Sequence, residues 1–232
     1  MKIHFILVEP AVPENIGASC RAIKTMGFES LRVVKTKAHL EEKARWLAHG
    51  SGDVLENINH FNSLQEAIVD MDLVIGSTAR KRTNHDEHIP SNEIVNFIKE
   101  KSSITDNVAI VFGSEESGLS SSDIELCHAL TKIPIITTHP SLNLSQAVML
   151  YAYELSVFNI SKNENQNCEV DVIKIKPLLE MVDELATLIN INKSQKLYHQ
   201  IKNRIVLLNK EDLHLVYSVC AKTLGKIKRI KK

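Results

Sequence analysis

The sequence predicts an α/β fold, a mostly parallel sheet flanked by helices, followed by a small helical C-terminal extension. Three observations predict it. Short apolar, β-branched runs alternate with segments of helical spacing up to about residue 160. Strands separated by helices need crossover connections, which make neighbouring strands parallel and cover both faces of the sheet. A polar stretch at 161–171 then marks a linker, and only helical patterns follow it. The domain boundary is therefore placed between 1–160 and 161–232.

Each element has its own justification. "IHFILV" (3–8) is a continuous apolar run that reads as a buried strand. "NIGASCRAIKTMGF" (15–28) reads as a helix, with Ile16, Cys20, Ile23 and Met26 at helical spacing. "SLRVV" (30–34) is the next strand. "LEEKARWLAHG" (40–50) is a short helix stopped by Gly50. "SLQEAIVDM" (63–71) is a helix with Ser63 as N-cap and Glu66 completing a capping box. "DLVIGST" (72–78) and "NVAIVFG" (107–113) are strands, with the helix "PSNEIVNFIKEK" (90–101) between them. "DIELCHAL" (123–130) is helical, "LTKIPI" (130–135) is a short strand, and "SLNLSQAVMLYAYELSVFNI" (141–160) is a long, largely apolar helix. Beyond the linker, 172–189, 194–208 and 210–230 are helical. In the last of these, Leu213, Val216, Cys220, Leu224 and Ile227 form an apolar stripe.

Composition excludes several classes. No apolar run approaches the roughly 20 residues that a membrane-spanning helix needs. "MKIHFILVEP" has no small-residue cleavage site and reads as a first strand rather than a signal peptide. The four cysteines are scattered without a CxxC pair, which argues against a zinc site or a disulfide framework and fits a reducing cytoplasm. Net charge is zero but uneven. Residues 1–160 carry 14 Lys and Arg against 20 Asp and Glu, whereas 161–232 carry 14 against 8. The basic third is either a handle for a polyanion or a solvated helical face with a basic tail.

Ligands of such sheets gather beyond the carboxyl ends of the strands, and four segments there hold the informative residues. "EPAVPENIGASCR" (9–21) is stiffened by two prolines. Asn15 can cap the helix, and Arg21, six positions on, is expected roughly on the same face, reaching back toward the loop. "GSTARKR" (76–82) joins small residues to three cations. "VFGSEESGL" (111–119) combines glycines with two carboxylates and lacks both a GxGxxG pattern and a Walker lysine. Glu115, nearer the strand end, is expected to face inward, where a carboxylate needs donors or a cation. Arg21, Asn15 and backbone N–H groups are the candidates. "IPIITTHPSLNLSQAV" (133–148) sets Ser141, Asn143 and Ser145 on alternate positions, with Ser141 expected before the helix and Asn143 in its first turn. Singly, each segment also reads as a cap or a solvated turn.

Together, "NIGASCR", "VFGSEESGL" and "IPIITTHPSLNLSQAV" resemble the three ordered motifs of the SpoU (TrmH-type) branch of the SPOUT RNA methyltransferases. "IKTMGF", "WLAHGSGDVLENI" and the extension after residue 160 resemble its TrmJ/LasT subgroup. The resemblance implies a C-terminal trefoil knot, an exception to the rule that chains are unknotted. It implies transfer of a methyl group from S-adenosylmethionine to a ribose 2′-hydroxyl of tRNA or rRNA. It also implies a homodimer with the active site at the subunit interface, in the cytoplasm and without a membrane. By the same carry-over, the backbone near Thr78, Ala79, Gly113, Ile133, Ser141 and Leu142 holds the cofactor, and no metal is needed. Arg21, Asn15, Glu115, Ser141 and Asn143 are the catalytic set.

The family assigns its motif-one arginine to activate the hydroxyl. Arginine is effectively always protonated, so Arg21 is better suited to bind the adjacent phosphate and stabilise a developing alkoxide. The proton is left to phosphate, water or Glu115. One departure is Ser114, where many TrmJ-like relatives carry arginine, so RNA preference is expected to differ. Two rivals stand beside this reading. One is a catalytically silent SPOUT-fold RNA-binding protein. The other is a Rossmann-like nucleotide enzyme, which Pro10, Pro13 and Glu14 disfavour at the first strand–helix turn.

Overall fold

A computed structural model describes residues 1–79, 88–102, 105–136, 142–160, 175–192 and 195–230. In chain order its elements are β1 (Lys2–Val8), α1 (Pro13–Thr25), β2 (Leu31–Val34), α2 (Glu42–Leu47), α3 (Gly52–Glu56), β3 (Asn59–Phe61), α4 (Leu64–Ala67) and β4 (Leu73–Ser77). Then come β5 (Ile89–Pro90), α5 (Ile94–Lys101), β6 (Asn107–Phe112), α6 (Ser121–Glu125), β7 (Ala129–Lys132), α7 (Leu144–Leu155) and α8 (Val157–Ile160). The extension contributes α9 (Ile175–Leu188), α10 (Lys196–Leu207) and α11 (Lys210–Ile230).

The strands form one sheet of order β3-β2-β1-β6-β4-β7-β5. Every pairing is parallel. The central strands are buried on both faces, which is why they read as unbroken apolar runs. Alternate residues point to opposite faces. Phe5, Leu7, Ile75, Ile110 and Phe112 enter the larger core with α1, α5 and α7, while Ile6, Val8, Val74, Val111 and Leu130 enter a smaller one on the other side. This order makes β1, β6, β4 and β7 neighbours, so the segments following them emerge along one edge.

Helix α7 is fixed to that edge by Tyr151, which is fully buried. Its ring meets Phe112 edge-on at 5.5 Å, and its hydroxyl lies 3.1 Å from Thr131 Oγ1 at the end of β7. An aromatic pair of this geometry contributes about 1 kcal/mol beyond its buried area.

Several sequence expectations need correction. Strands β3 and β5 were not expected, because three and two residues are too few to show a period. The 63–71 segment is helical only over α4. Ser63 accepts from the Glu66 N–H at 3.2 Å, but the Glu66 carboxylate turns to the Asn62 N–H, so the capping box is half made. The 123–130 segment is not one helix. Ser120 and Asp123 form a full capping box on the short α6, and Ala129 already belongs to β7. The long apolar helix starts at Leu144 and breaks at Ser156 between α7 and α8.

The extension does not build a core of its own. Ile175, Leu178 and Val182 of α9, Ile205 and Val206 of α10, and Leu213 and Cys220 of α11 join the same cluster as Phe5 and Leu7. Lys101, at the end of α5, is fully buried and donates its ammonium to the Leu208 carbonyl just past α10. Burial pushes its pKa down. Lys176 of α9 reaches back to the Val69 carbonyl at 2.8 Å. Cys20, Cys127 and Cys220 are free and buried, and no helix among the described residues is long and apolar enough to cross a membrane.

Candidate functional site

The site is built around Glu115. Its half-buried carboxylate takes three hydrogen bonds from the loop that follows β1 and from the first turn of α1. The Ala11 N–H donates to Oε2 at 2.9 Å, the Val12 N–H to Oε1 at 3.3 Å, and Asn15 Nδ2 to Oε1 at 2.7 Å. Burial alone would raise its pKa. The bonds from Ala11, Asn15, its own backbone N–H and Val12 outweigh that and hold it below the usual carboxylate range. Glu116 is exposed. The inward acid is therefore the one expected.

The chain of contacts continues into the third motif. Asn143 Nδ2 donates to Asn15 Oδ1 at 2.9 Å. Asn143 Oδ1 accepts from the Ser145 N–H at 2.9 Å and the Ser145 hydroxyl at 2.7 Å. The Gln146 side chain returns to the Asn143 N–H at 3.3 Å. Asn143 is thus the N-cap of α7 in a full capping box, not a residue of its first turn. Ser141 lies outside the described residues, as do Arg80, Lys81 and Arg82 of the basic turn.

Asn15 is not the cap of α1. The helix starts at Pro13, whose missing N–H is no loss at that position, and Val12 is the N-cap. This frees the Asn15 side chain to link Glu115 to Asn143. Arg21 sits elsewhere. A six-residue step along a helix turns about 120° away from the starting face, so Asn15 is buried and Arg21 exposed. Of the partners considered for Glu115, the two loop N–H groups and Asn15 take part and Arg21 does not.

The remaining cofactor candidates line the same edge. The Thr78 N–H donates to the Thr131 carbonyl at 3.0 Å, extending the β4–β7 pairing by one rung. Ala79 next to it is exposed, and Ile133 and Leu142 are half-buried. Gly113 has a strict steric reason. A Cβ there would lie 2.0 Å from the Gly118 carbonyl carbon and 2.1 Å from the Leu119 nitrogen. The 113–119 loop folds back on itself, with the Gly118 N–H donating to the Ser114 carbonyl at 2.9 Å and Gly118 at φ +70°. Sequence reasoning missed Ala11 and Val12, which act through main-chain N–H groups that leave no signature in residue type.

The arrangement matches known proteins. The SpoU rRNA Methylase family model covers residues 2–153. The chain belongs to this family. It is 40% identical over 217 residues to the "Uncharacterized tRNA/rRNA methyltransferase LasT" of Escherichia coli (strain K12), spanning 94% of this chain and 95% of that one. It is 35% identical over 156 residues to the "tRNA (cytidine-2′-O-)-methyltransferase TrmJ" of Methanocaldococcus jannaschii, covering 66% of each. The crystal structure of TrmJ from Z. mobilis ZM4 superposes with a TM-score of 0.66 at 25% identity, over 96% of this chain and 99% of that one. A SpoU chain is a methylase scaffold, and its edge here fits a cationic sulfonium cofactor. N–H donors leave Glu115 on this edge ionised despite its burial, and residues 113–118 around it are small or acidic and contain no lysine or arginine.

Proposed function

We propose that the protein transfers a methyl group from S-adenosylmethionine to a ribose 2′-hydroxyl of tRNA or rRNA. The observation that carries this reading is the hydrogen-bonded chain Glu115–Asn15–Asn143, which ties the three SpoU motifs together at one sheet edge. The names of the LasT and TrmJ relatives supply the RNA and the ribose oxygen.

When bound, S-adenosylmethionine supplies an activated methyl group. Backbone near Thr78, Ala79, Gly113, Ile133 and Leu142, with Ser141, would hold it. Glu115 keeps the 9–12 loop and Asn15 in place, and its negative charge favours a cation nearby. Asn15 and Asn143 orient substrate and cofactor. Exposed Arg21 binds the RNA phosphate beside the target ribose and stabilises the developing alkoxide, while the hydroxyl proton passes to phosphate, water or Glu115. The 1–160 body carries this chemistry, the helices α9, α10 and α11 of the 161–232 extension pack on it, and the fold closes with the family's trefoil knot. The protein works in the cytoplasm, consistent with its free buried cysteines.

The site is completed in a homodimer. Val12 at the start of α1, Trp46 on α2, and Met149, Leu150 and Tyr153 on α7 are large apolar residues left exposed. A second copy covering them would bring another chain to the mouth of the site. Exposed Arg21 then has a partner surface to work against.

The test is Arg21→Ala, assayed with radiolabelled S-adenosylmethionine and unmodified RNA. Methyl transfer should fall by about 10²–10³-fold while cofactor binding, read by calorimetry, stays near wild type. Unchanged turnover would reject the role. RNA binding by wild type without any transfer would favour a silent binding protein.

A further inference from the structure

Among the described residues, three that are not glycine have positive φ, and two of them sit together at this edge. Glu9 (φ +51°) follows β1 directly and Lys35 (φ +53°) follows β2. These are adjacent parallel strands. An L-residue is disfavoured in this region, and strained backbone of this kind concentrates where a loop must be aimed.

The two strained residues hold each other. Lys35 Nζ lies 2.9 Å from Glu9 Oε1. The next residue, Thr36, donates its hydroxyl to the Pro10 carbonyl at 3.1 Å and accepts from the Ala38 N–H at 3.1 Å. Below them, the Glu9 N–H donates to the Val34 carbonyl at 2.9 Å and the Lys35 N–H to the Phe61 carbonyl at 3.0 Å. The stretch 9–12 is thus gripped from both sides. Lys35 and Thr36 hold Glu9 and Pro10, and Glu115 holds Ala11 and Val12. A Glu9–Lys35 pair this exposed adds little stability, so its consequence is geometric.

We infer that Lys35 and Thr36 are positioning residues for methyl transfer, fixing the 9–12 backbone so that Glu115 can set Asn15 against Asn143. The inference rests on the methyltransferase reading above. Lys35 and Thr36 each contact the loop itself. They act through the loop.

The test uses Lys35→Gly, Thr36→Val and Thr36→Ser in the full-length protein, with three readouts: kcat and KM for RNA, thermal midpoint, and amide exchange at Ala11 and Val12. Glycine accepts positive φ freely, so Lys35→Gly should leave the midpoint unchanged or raise it. Its kcat should nevertheless fall about tenfold, as small misplacements near reacting groups do, and the two amides should exchange several-fold faster. Thr36→Val should show the same loss of kcat and faster exchange, with a modest drop in midpoint from the lost bonds to Pro10 and Ala38, and Thr36→Ser, which keeps the hydroxyl, should restore kcat and exchange. Wild-type kcat and exchange in both disruptive variants would overturn the inference, as would a loss of kcat that only follows a loss of midpoint. If the wild type itself transfers no methyl group, the functional reading fails, and the Ala11 and Val12 exchange rates alone decide whether Lys35 and Thr36 fix the 9–12 backbone.

Discussion

Glu115 is a carboxylate held by three N–H donors and, among the described residues, by no ion pair. That combination sets its pH behaviour. Its folded pKa lies below the ordinary value of 4.5, so the unfolded chain takes up the proton first as pH falls. Its contribution to stability is full above about 4.5 and is lost as pH drops through the lower folded value. Glu115→Gln keeps the shape but replaces one accepting oxygen by a donor facing N–H groups. It should cost about 1 kcal/mol at pH 7, and the gap between wild type and variant should close below pH 4.5, as urea unfolding at a series of pH values would show. A constant gap down to pH 3 would mean that the charge is not what the loop grips.

At the scale of elements, the site depends on two helix starts. Proline at the start of α1 and Asn143 at the start of α7 leave side chains and N–H groups facing the strand ends. Much of this was legible. β1, β2, β4 and β6 are visible as apolar runs whose ends agree with the structure within a residue, because strands buried on both faces have no other composition. The pairing of Asn15 with Asn143 across 128 positions was not legible, because only the sheet order brings the two loops together. The misreading of Arg21 has a different origin. Six residues turn about 120° around a helix, so the spacing itself separates Arg21 from the face that Asn15 buries. α7 also leaves Met149, Leu150 and Tyr153 exposed on one side. The proposed homodimer predicts that Leu150→Asp gives monomers where wild type gives dimers in light scattering and lowers methyl transfer, with the fold kept by circular dichroism. A monomeric wild type would remove the proposed shared site.

For the whole molecule, the parallel sheet does one thing that no single motif can. It sets β1, β6, β4 and β7 side by side, so that three motifs separated along the chain share an edge. The C-terminal helices stabilise that body by entering its core rather than by standing apart. Their charge is partly engaged, with Lys228 paired to Glu184 at 3.0 Å. The chemistry of the central claim is most directly read from the product. A methyl group on a ribose 2′-oxygen removes the nucleophile through which alkali cleaves the neighbouring phosphodiester. RNA labelled by this protein from S-adenosylmethionine should therefore, after alkaline hydrolysis, carry its label in alkali-stable dinucleotides. Label recovered only in mononucleotides would place the methyl on a base and contradict the account, and so would the absence of label.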